Sequence, residues 1–219
     1  MADPDTRLAA IRDRIARACR AARRDPADVT LVAVAKTRPV AKIVDLLDLG
    51  LRDFGESRVQ EAADKWPALR QRYPDARLHL IGRLQSNKAD EAAALFDVIH
   101  SLDRESLLDA LVQAGTKANR FLPCYVQVNI GEEDQKGGVA IAALPTLLEL
   151  VRASPLPLAG LMAIPPAGVE AAPYFALLAE QARRHDVTGL SMGMSSDYAS
   201  AVMLGATVVR VGSALFDDA

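Results

Sequence analysis

Apolar residues follow two different spacings along this chain. Between residues 5 and 24 they recur every three or four positions, which predicts an amphipathic helix with one apolar stripe. Short apolar runs then alternate with longer segments of helical spacing. The runs that predict strands are 30–35, 52–55, 78–82, 97–101, 123–130, 157–164, 189–192 and 207–211. The segments that predict helices are 39–49, 57–71, 87–95, 104–119, 139–153, 170–185 and 196–204.

Eight strands alternating with helices at these intervals are typical of repeated βα units. The pattern therefore predicts an α/β fold, a single-domain (β/α)8 TIM barrel with an extra N-terminal helix. A doubly wound open sheet is the rival architecture. No linker, repeat or low-complexity tract divides the chain, so we interpret 1–219 as one domain, with the leading helix in 1–28 and the barrel in 29–219.

Composition narrows the function classes. The 219 residues carry a net charge of −2 and a pI near 5.9, which gives no general attraction to nucleic acid or anionic membranes. Cys19 and Cys124 lie far apart, which favours reduced thiols and a cytoplasmic location. No apolar run predicts a membrane span or a signal peptide. His79, His100 and His185 are scattered without ligand spacing, so we expect no metal site.

A lysine follows the first predicted strand directly. The run 31–35 predicts a strand buried on both faces, and Pro39 restricts Arg38 to an extended conformation, so the strand should end near Lys36. Desolvation at the mouth of a core disfavours the ammonium and leaves a nucleophilic amine that can form a Schiff base. The alternative is a lysine that extends into solvent.

Glycine and serine follow the last two predicted strands, at Gly193, Ser195, Ser196, Gly212 and Ser213. Barrel sites gather at the C-terminal ends of the strands, and phosphate sites commonly use the loops after strands seven and eight. Glycine lets backbone N–H groups approach an anion, and serine adds a hydroxyl donor. Each serine could instead simply cap a helix.

An arginine interrupts the last strand, at Arg210 within the run 208–211. A buried guanidinium keeps its charge and requires an acceptor. That acceptor could be a carboxylate across the barrel or the heteroaromatic nitrogen of a bound cofactor. A reactive lysine, a phosphate cradle and a ring-nitrogen partner together predict a pyridoxal 5′-phosphate site.

Six segments carry a family resemblance that runs through almost the whole chain. They are VAVAKT (32–37), FGESRVQE (54–61), HLIGRLQSNK (79–88), GLMAIP (160–165), LSMGMS (190–195) and VRVGSALF (209–216). Through them the chain resembles the pyridoxal phosphate homeostasis protein family, which has the barrel fold of the alanine racemase N-terminal domain.

The resemblance implies roles for individual residues. It places the cofactor on Lys36 as a covalent aldimine, Arg210 at the ring nitrogen, and the phosphate on Ser195, Gly212 and Ser213. The expected cofactor contacts also include Ser57 and Met162, at the ends of the second and sixth strands.

Three positions qualify the resemblance. Ser57 stands where the family usually has asparagine, and Arg83 stands where it more often has a small residue or proline. Lys136 lies in a glycine-rich loop that resembles one of the family, where it could assist cofactor exchange or be an ordinary surface lysine.

The resemblance implies a protein of intracellular pyridoxal phosphate homeostasis, a monomer that binds the cofactor reversibly and has no strong catalysis of its own. Apo-enzymes that use the cofactor are candidate recipients. The alternative is a racemase of low activity. Barrel racemases complete their site with a second domain that supplies a tyrosine, and we expect none because the chain ends at Ala219. An arginine at the ring nitrogen also does not keep the ring protonated.

Overall fold

The computed structural model describes residues 3–133 and 135–216 as a closed barrel of eight parallel strands in sequential order. The strands are Thr30–Val34 (β1), Asp53–Glu56 (β2), Arg77–Leu80 (β3), Val98–Leu102 (β4), Cys124–Gln127 (β5), Leu158–Met162 (β6), Leu190–Ser191 (β7) and Val208–Val211 (β8). Because β8 pairs with β1, the sheet has no open edge. The predicted barrel is confirmed, and the rival open sheet is excluded.

Helices surround the barrel at the predicted places. They are Pro4–Ala21 (α1), Val40–Asp48 (α2), Val59–Arg72 (α3), Ala89–Leu95 (α4), Glu105–Ala118 (α5), Leu144–Ala153 (α6), Ala172–Arg184 (α7), Tyr198–Met203 (α8) and Ser213–Phe216 (α9). The prediction for 139–153 was wrong at its start, since Ile141–Ala143 forms a 3₁₀ turn and α6 begins one residue before Pro145. The sequence pattern did not predict the short α9.

The leading helix is an integral part of the packing. The Asp3 side chain caps it by accepting a hydrogen bond from the Thr6 N–H at 2.7 Å. Its apolar stripe, which includes Leu8, Ile11 and Ile15, is buried, and the helix packs against α8 and α9.

The interior of the barrel has an apolar part and a polar part. The apolar part, here called the floor, is a buried cluster of Val32, Val98, Tyr125, Met162 and Val208. The polar part consists of His79, His100, Ser191 and Arg210, all buried. Buried polar groups are stable only when they are hydrogen-bonded, so the contacts of the second group are central to the site.

Both cysteines are free and buried, at Cys19 and Cys124. Burial raises the pKa of the Cys124 thiol to about 12, so this thiol is unreactive at neutral pH. Within the described parts of the chain, no helix combines the length and the apolar character needed to cross a bilayer.

Candidate functional site

Closure of the barrel brings the predicted strand-end residues to one face. Lys36, Ser57 and Ser195 lie in the segments that follow β1, β2 and β7. In the sheet, Ala33 of β1 pairs with Val211 of β8, and Val34 of β1 pairs with Gly55 of β2. The C-terminal ends of β1, β2 and β8 are therefore level. The barrel therefore has Lys36, Ser57 and Ser195 in segments at the same end, here called the mouth.

Lys36 is exposed at this mouth, two residues beyond the end of β1 at Val34. The strand is therefore shorter than predicted. The desolvation that the sequence interpretation invoked is absent here, because the side chain lies in solvent. The following residue, Thr37, has a φ of 59°, a left-handed conformation that an L-residue adopts only when its surroundings hold it there.

Helix α3 fixes the backbone on both sides of Lys36. The Lys65 ammonium donates to the Ala35 carbonyl at 3.1 Å and pairs with Glu61 at 2.9 Å. The same Glu61 carboxylate accepts a hydrogen bond from the Thr37 N–H at 2.5 Å. Burial alone would raise the pKa of Glu61, but the hydrogen bonds from Lys65 and Thr37 lower it overall. We call the pair Glu61 and Lys65 the Lys36 clamp.

The clamp is anchored in the core by Glu56, at the end of β2. Its carboxylate is fully buried, lies 2.7 Å from the Lys65 ammonium and accepts a hydrogen bond from the Trp66 indole at 3.0 Å. Burial raises the pKa of Glu56, although both partners oppose this effect. Sequence reasoning missed this group. The available signal was an acidic residue at the end of a buried strand, followed by a lysine on the next helix.

The turns after β2 and β3 are in close backbone contact. A Cβ atom at Gly82 would lie 2.1 Å from the Ser57 carbonyl oxygen, so only glycine allows this approach. Ser57 is half-buried at the mouth, whereas Arg83 is exposed. The contact of Ser57 with a cofactor ring stays a prediction.

Ser195 joins the ends of β7 and β8. Its hydroxyl oxygen accepts hydrogen bonds from the backbone N–H groups of Gly212 at 3.2 Å and Ala214 at 3.4 Å. The capping role that the sequence left open is therefore present for Ser195. Among residues 3–133 and 135–216, no acceptor engages the backbone N–H groups of Ser195, Ser196 and Ser213. These three donors are available to an anion.

The loop after β7 has a conformation that only glycine permits. Gly193 has a φ of 94°, and a Cβ atom there would lie 2.6 Å from the Ala201 Cβ. The loop is further fixed by a hydrogen bond of 2.7 Å from the Met194 N–H to the Asp197 carboxylate. The glycine and this hydrogen bond together define the shape of the loop.

Arg210 is buried with neutral partners. Its side chain is 3% exposed and donates to the Ser191 hydroxyl at 2.5 Å and to the Ala163 carbonyl at 3.0 Å. No carboxylate in the described parts of the chain forms an ion pair with it, so the predicted carboxylate alternative is not found. Burial lowers the pKa of Arg210 to about 10, although the nearby Asp197 carboxylate opposes this effect, and the guanidinium remains charged at neutral pH.

Hydrogen bonds continue from Ser191 across the barrel. The Ser191 hydroxyl lies 2.8 Å from His100 Nδ1, His100 Nε2 lies 3.0 Å from His79 Nδ1, and His79 Nε2 lies 2.9 Å from Asp53. We call Asp53, His79, His100, Ser191 and Arg210 the histidine chain.

The sequence interpretation of scattered histidines missed this contact. The available signal was the position of His79 and His100, each inside a short strand and one βα unit apart.

Met162 and Lys136 lie in different settings. Met162 is fully buried in the floor. Its contact with the cofactor stays a prediction. The Lys136 ammonium pairs with Glu133 at 2.6 Å and donates to the Pro165 carbonyl at 3.2 Å. Lys136 is therefore half-buried and in contact with the loop after β6.

The donor set fits pyridoxal phosphate. Free N–H groups at the ends of β7 and β8 suit a phosphate, an accessible amine suits an aldehyde, and a buried guanidinium suits a ring nitrogen. Bound there, the cofactor would supply a reactive aldehyde. The protein supplies the amine at Lys36, the cation at Arg210 and the backbone donors.

Comparison with known proteins gives the same class. The sequence model of the family described as “Alanine racemase, N-terminal domain” matches residues 6–219. Proteins named pyridoxal phosphate homeostasis protein are similar over nearly their whole length. The one from Pseudomonas aeruginosa is 41% identical over 217 residues, which cover 95% of this chain and 93% of the relative. The one from Escherichia coli is 36% identical over 219 residues, with coverage of 95% and 94%. The chain belongs to the pyridoxal phosphate homeostasis protein family.

Solved structures agree with this assignment. PipY of Synechococcus elongatus, determined with PLP bound, has a TM-score of 0.83 and 36% identity, covering 98% of this chain and 100% of that chain. Alanine racemase from E. faecalis has a TM-score of 0.69 and 16% identity, covering 99% of this chain and 59% of that chain. The second likeness shows the shared barrel fold alone.

Proposed function

We propose that this protein binds pyridoxal 5′-phosphate reversibly and acts in the homeostasis of that cofactor. The observation that carries the proposal is Arg210, a buried and charged guanidinium whose hydrogen-bond acceptors among the described residues are neutral. Arg210 on β8 pairs with Val32 on β1, the strand that ends two residues before Lys36. A buried cation and an accessible amine on neighbouring strands suit a ligand with both an acceptor nitrogen and an aldehyde.

Each residue has a defined role in the proposal. Lys36 forms the Schiff base, Arg210 donates to the ring nitrogen, and Ser195, Gly212 and Ser213 hold the phosphate. Ser57 and Met162 complete the surroundings of the ring. Among the described residues, the backbone N–H groups of Ser195, Ser196 and Ser213 are free, which supports the phosphate assignment, whereas the Gly212 N–H donates to the Ser195 hydroxyl.

Storage of the cofactor, rather than turnover, is the proposed activity. A donor such as Arg210 does not keep the ring nitrogen protonated, which weakens the ring as an electron sink. We therefore expect slow or undetectable exchange of amino-acid α-protons in D₂O. Exchange at ordinary enzymatic rates, roughly 1–10³ s⁻¹, would favour the racemase alternative.

The proposal includes a cytoplasmic monomer that passes the cofactor to apo-enzymes. Two free, buried cysteines support a reducing compartment. Analytical ultracentrifugation would test whether the protein is a monomer. Transfer of labelled pyridoxal phosphate from the protein to an apo-enzyme would test delivery of the cofactor.

The decisive experiment is an absorption spectrum of the protein with pyridoxal phosphate, before and after borohydride, followed by peptide mapping. We expect a yellow protein and a pyridoxyl group on the peptide that contains Lys36. The Lys36→Ala protein should remain colourless. Its free energy of unfolding should lie within about 0.5 kcal/mol of that of the parent, because the side chain is exposed. Lys136→Ala is the matched control and should retain the adduct. An adduct on Lys136 or Lys88 would contradict the assignment.

A further inference from the structure

The histidine chain reaches from the cofactor side of the barrel toward the opposite face. Arg210, Ser191, His100 and His79 are all at most 3% exposed. The fifth member, Asp53, starts β2, and its side chain is 20% exposed. A continuous buried path of hydrogen bonds therefore links a cationic end to an acidic end.

The acidic end sets the direction of the hydrogen bonds along the chain. The Asp53 carboxylate can only accept, so the His79 Nε2–H donates to it. With one proton on each ring, His79 Nδ1 accepts from the His100 Nε2–H, and His100 Nδ1 accepts from the Ser191 hydroxyl. The Ser191 oxygen accepts from Arg210, which can only donate.

The surroundings favour this arrangement of protons. Burial, with the nearby His79 and Arg210, holds the pKa of His100 well below its usual range, so the ring is neutral with one donor and one acceptor. The Tyr125 ring stacks on His100 with centroids 4.5 Å apart. Arg77 forms an ion pair with the Asp53 carboxylate, with 3.8 Å between the two groups. Successive bonds with the same direction polarise one another.

We propose that Ser191, His100, His79 and Asp53 are positioning residues that hold the Arg210 guanidinium in one orientation toward the ring nitrogen of the cofactor. The inference rests on the proposed function. Two of the five guanidinium N–H donors are occupied by Ser191 and Ala163, which fixes the plane of the group. The remaining donors are then presented in a constant direction.

The proton positions can be tested without cofactor. Long-range ¹H–¹⁵N correlation spectra of the full-length protein at neutral pH should show His79 and His100 neutral, each with its proton on Nε2. His185, half-buried at the end of α7, provides an internal reference. A proton on Nδ1 of either chain histidine would overturn the inference.

The positioning role can be tested with two ligands on one pair of variants. Ser191→Ala removes the hydroxyl that joins Arg210 to His100. Ser101→Ala is the matched control, since Ser101 is equally buried on β4 and its hydroxyl has no hydrogen-bond partner among the described residues. The ligands are pyridoxal phosphate and its 1-deaza analogue, in which carbon replaces the ring nitrogen. Thermal melts of the cofactor-free variants show whether each remains folded.

We expect Ser191→Ala to weaken pyridoxal phosphate binding about tenfold and analogue binding less than twofold. Ser101→Ala should change neither affinity by more than about twofold. An equal loss for both ligands, or no loss for either, would overturn the positioning role while leaving the proposed function intact. Failure of the parent protein to bind pyridoxal phosphate at all would overturn the proposed function, and the role of the chain at the cofactor with it.

Discussion

Lys36 follows β1 and Arg210 lies on the neighbouring strand β8, and the surroundings of these two cations differ. Arg210 is buried, and its guanidinium is held by Ser191 and Ala163. Lys36 is exposed, and the fold holds the peptide groups beside it rather than its ammonium. One cation is therefore fixed at its charged group, and the other only at its backbone.

The difference matches what each group must do in the proposed function. A residue that only orients a ring benefits from a fixed direction, because less freedom is lost on binding. A lysine that forms and releases a covalent bond must move between free and bound positions. Fixing its backbone through the Lys36 clamp limits this movement to the side chain. The comparison predicts separate effects when either support is removed.

The largest effect is expected from Lys65→Met. The substitution leaves the fully buried Glu56 carboxylate without its cation and the Ala35 carbonyl without its donor. Breaking a buried pair on one side should lower the free energy of unfolding by about 3 kcal/mol. Formation of the Lys36 adduct should also slow, because the backbone beside Lys36 loses the hydrogen bond that Lys65 donates to it. Urea unfolding and stopped-flow absorbance would measure the two effects.

Lys117→Met is the matched control. Lys117 pairs with Asp90 at 2.8 Å on the surface, with both side chains more than half exposed. An exposed pair contributes about 0–1 kcal/mol, so this variant should be nearly neutral and should bind cofactor normally. Equal losses in the two variants would show that the clamp has no special role.

Arg210→Lys is expected to have the next largest effect. Lysine keeps the charge but lacks the planar fork, so it cannot engage both Ser191 and Ala163. One buried acceptor is left unpaired, which costs about 1–3 kcal/mol of stability. Cofactor affinity should fall, but the adduct should still form on Lys36. Arg183→Lys, at an exposed pair with Glu180 on α7, is the control. Loss of the adduct in Arg210→Lys would contradict the division of roles.

Much of this arrangement could be predicted from the sequence, because it depends on local pattern. The repeated βα spacing predicts the barrel, and a barrel brings strand ends together, so the amino-acid sequence alone groups Lys36, Ser195 and Arg210. The histidine chain and the Lys36 clamp depend instead on register and side-chain reach. Thr37 and Glu61 are 24 residues apart, and His100 and Ser191 are 91 apart. Local spacing alone does not determine such contacts.

Ser195→Ala should have a smaller effect, which separates capping from phosphate binding. Loss of the acceptor for Gly212 and Ala214 should cost about 0.5–2 kcal/mol without cofactor. If Ser195 also holds the phosphate, the stabilisation that pyridoxal phosphate adds should shrink as well. Ser154→Ala, which removes a turn hydroxyl after α6, should lose stability equally with and without cofactor. The same behaviour in Ser195→Ala would leave that serine as a cap only.

The smallest expected effect is a dependence of stability on pH. It arises from His100, which is buried and linked to Arg210 through Ser191. The pKa of His100 is depressed in the folded protein by burial, then by His79 and Arg210, from an unfolded value of 6.5. The unfolded chain therefore binds more protons below pH 6.5, so this contribution to stability is complete above that pH and is lost as the pH falls. Linkage gives a loss of about 1 kcal/mol between pH 6.5 and 5.5. Urea unfolding over this range should show the slope in the parent protein, and His100→Gln should lower it by that amount. Asp53 and His79 remain in the variant, so the difference between the two slopes reports the removal of His100 from the chain. Parallel slopes would mean that His100 accepts a proton in the folded state, which would also contradict its place as a neutral link to Arg210.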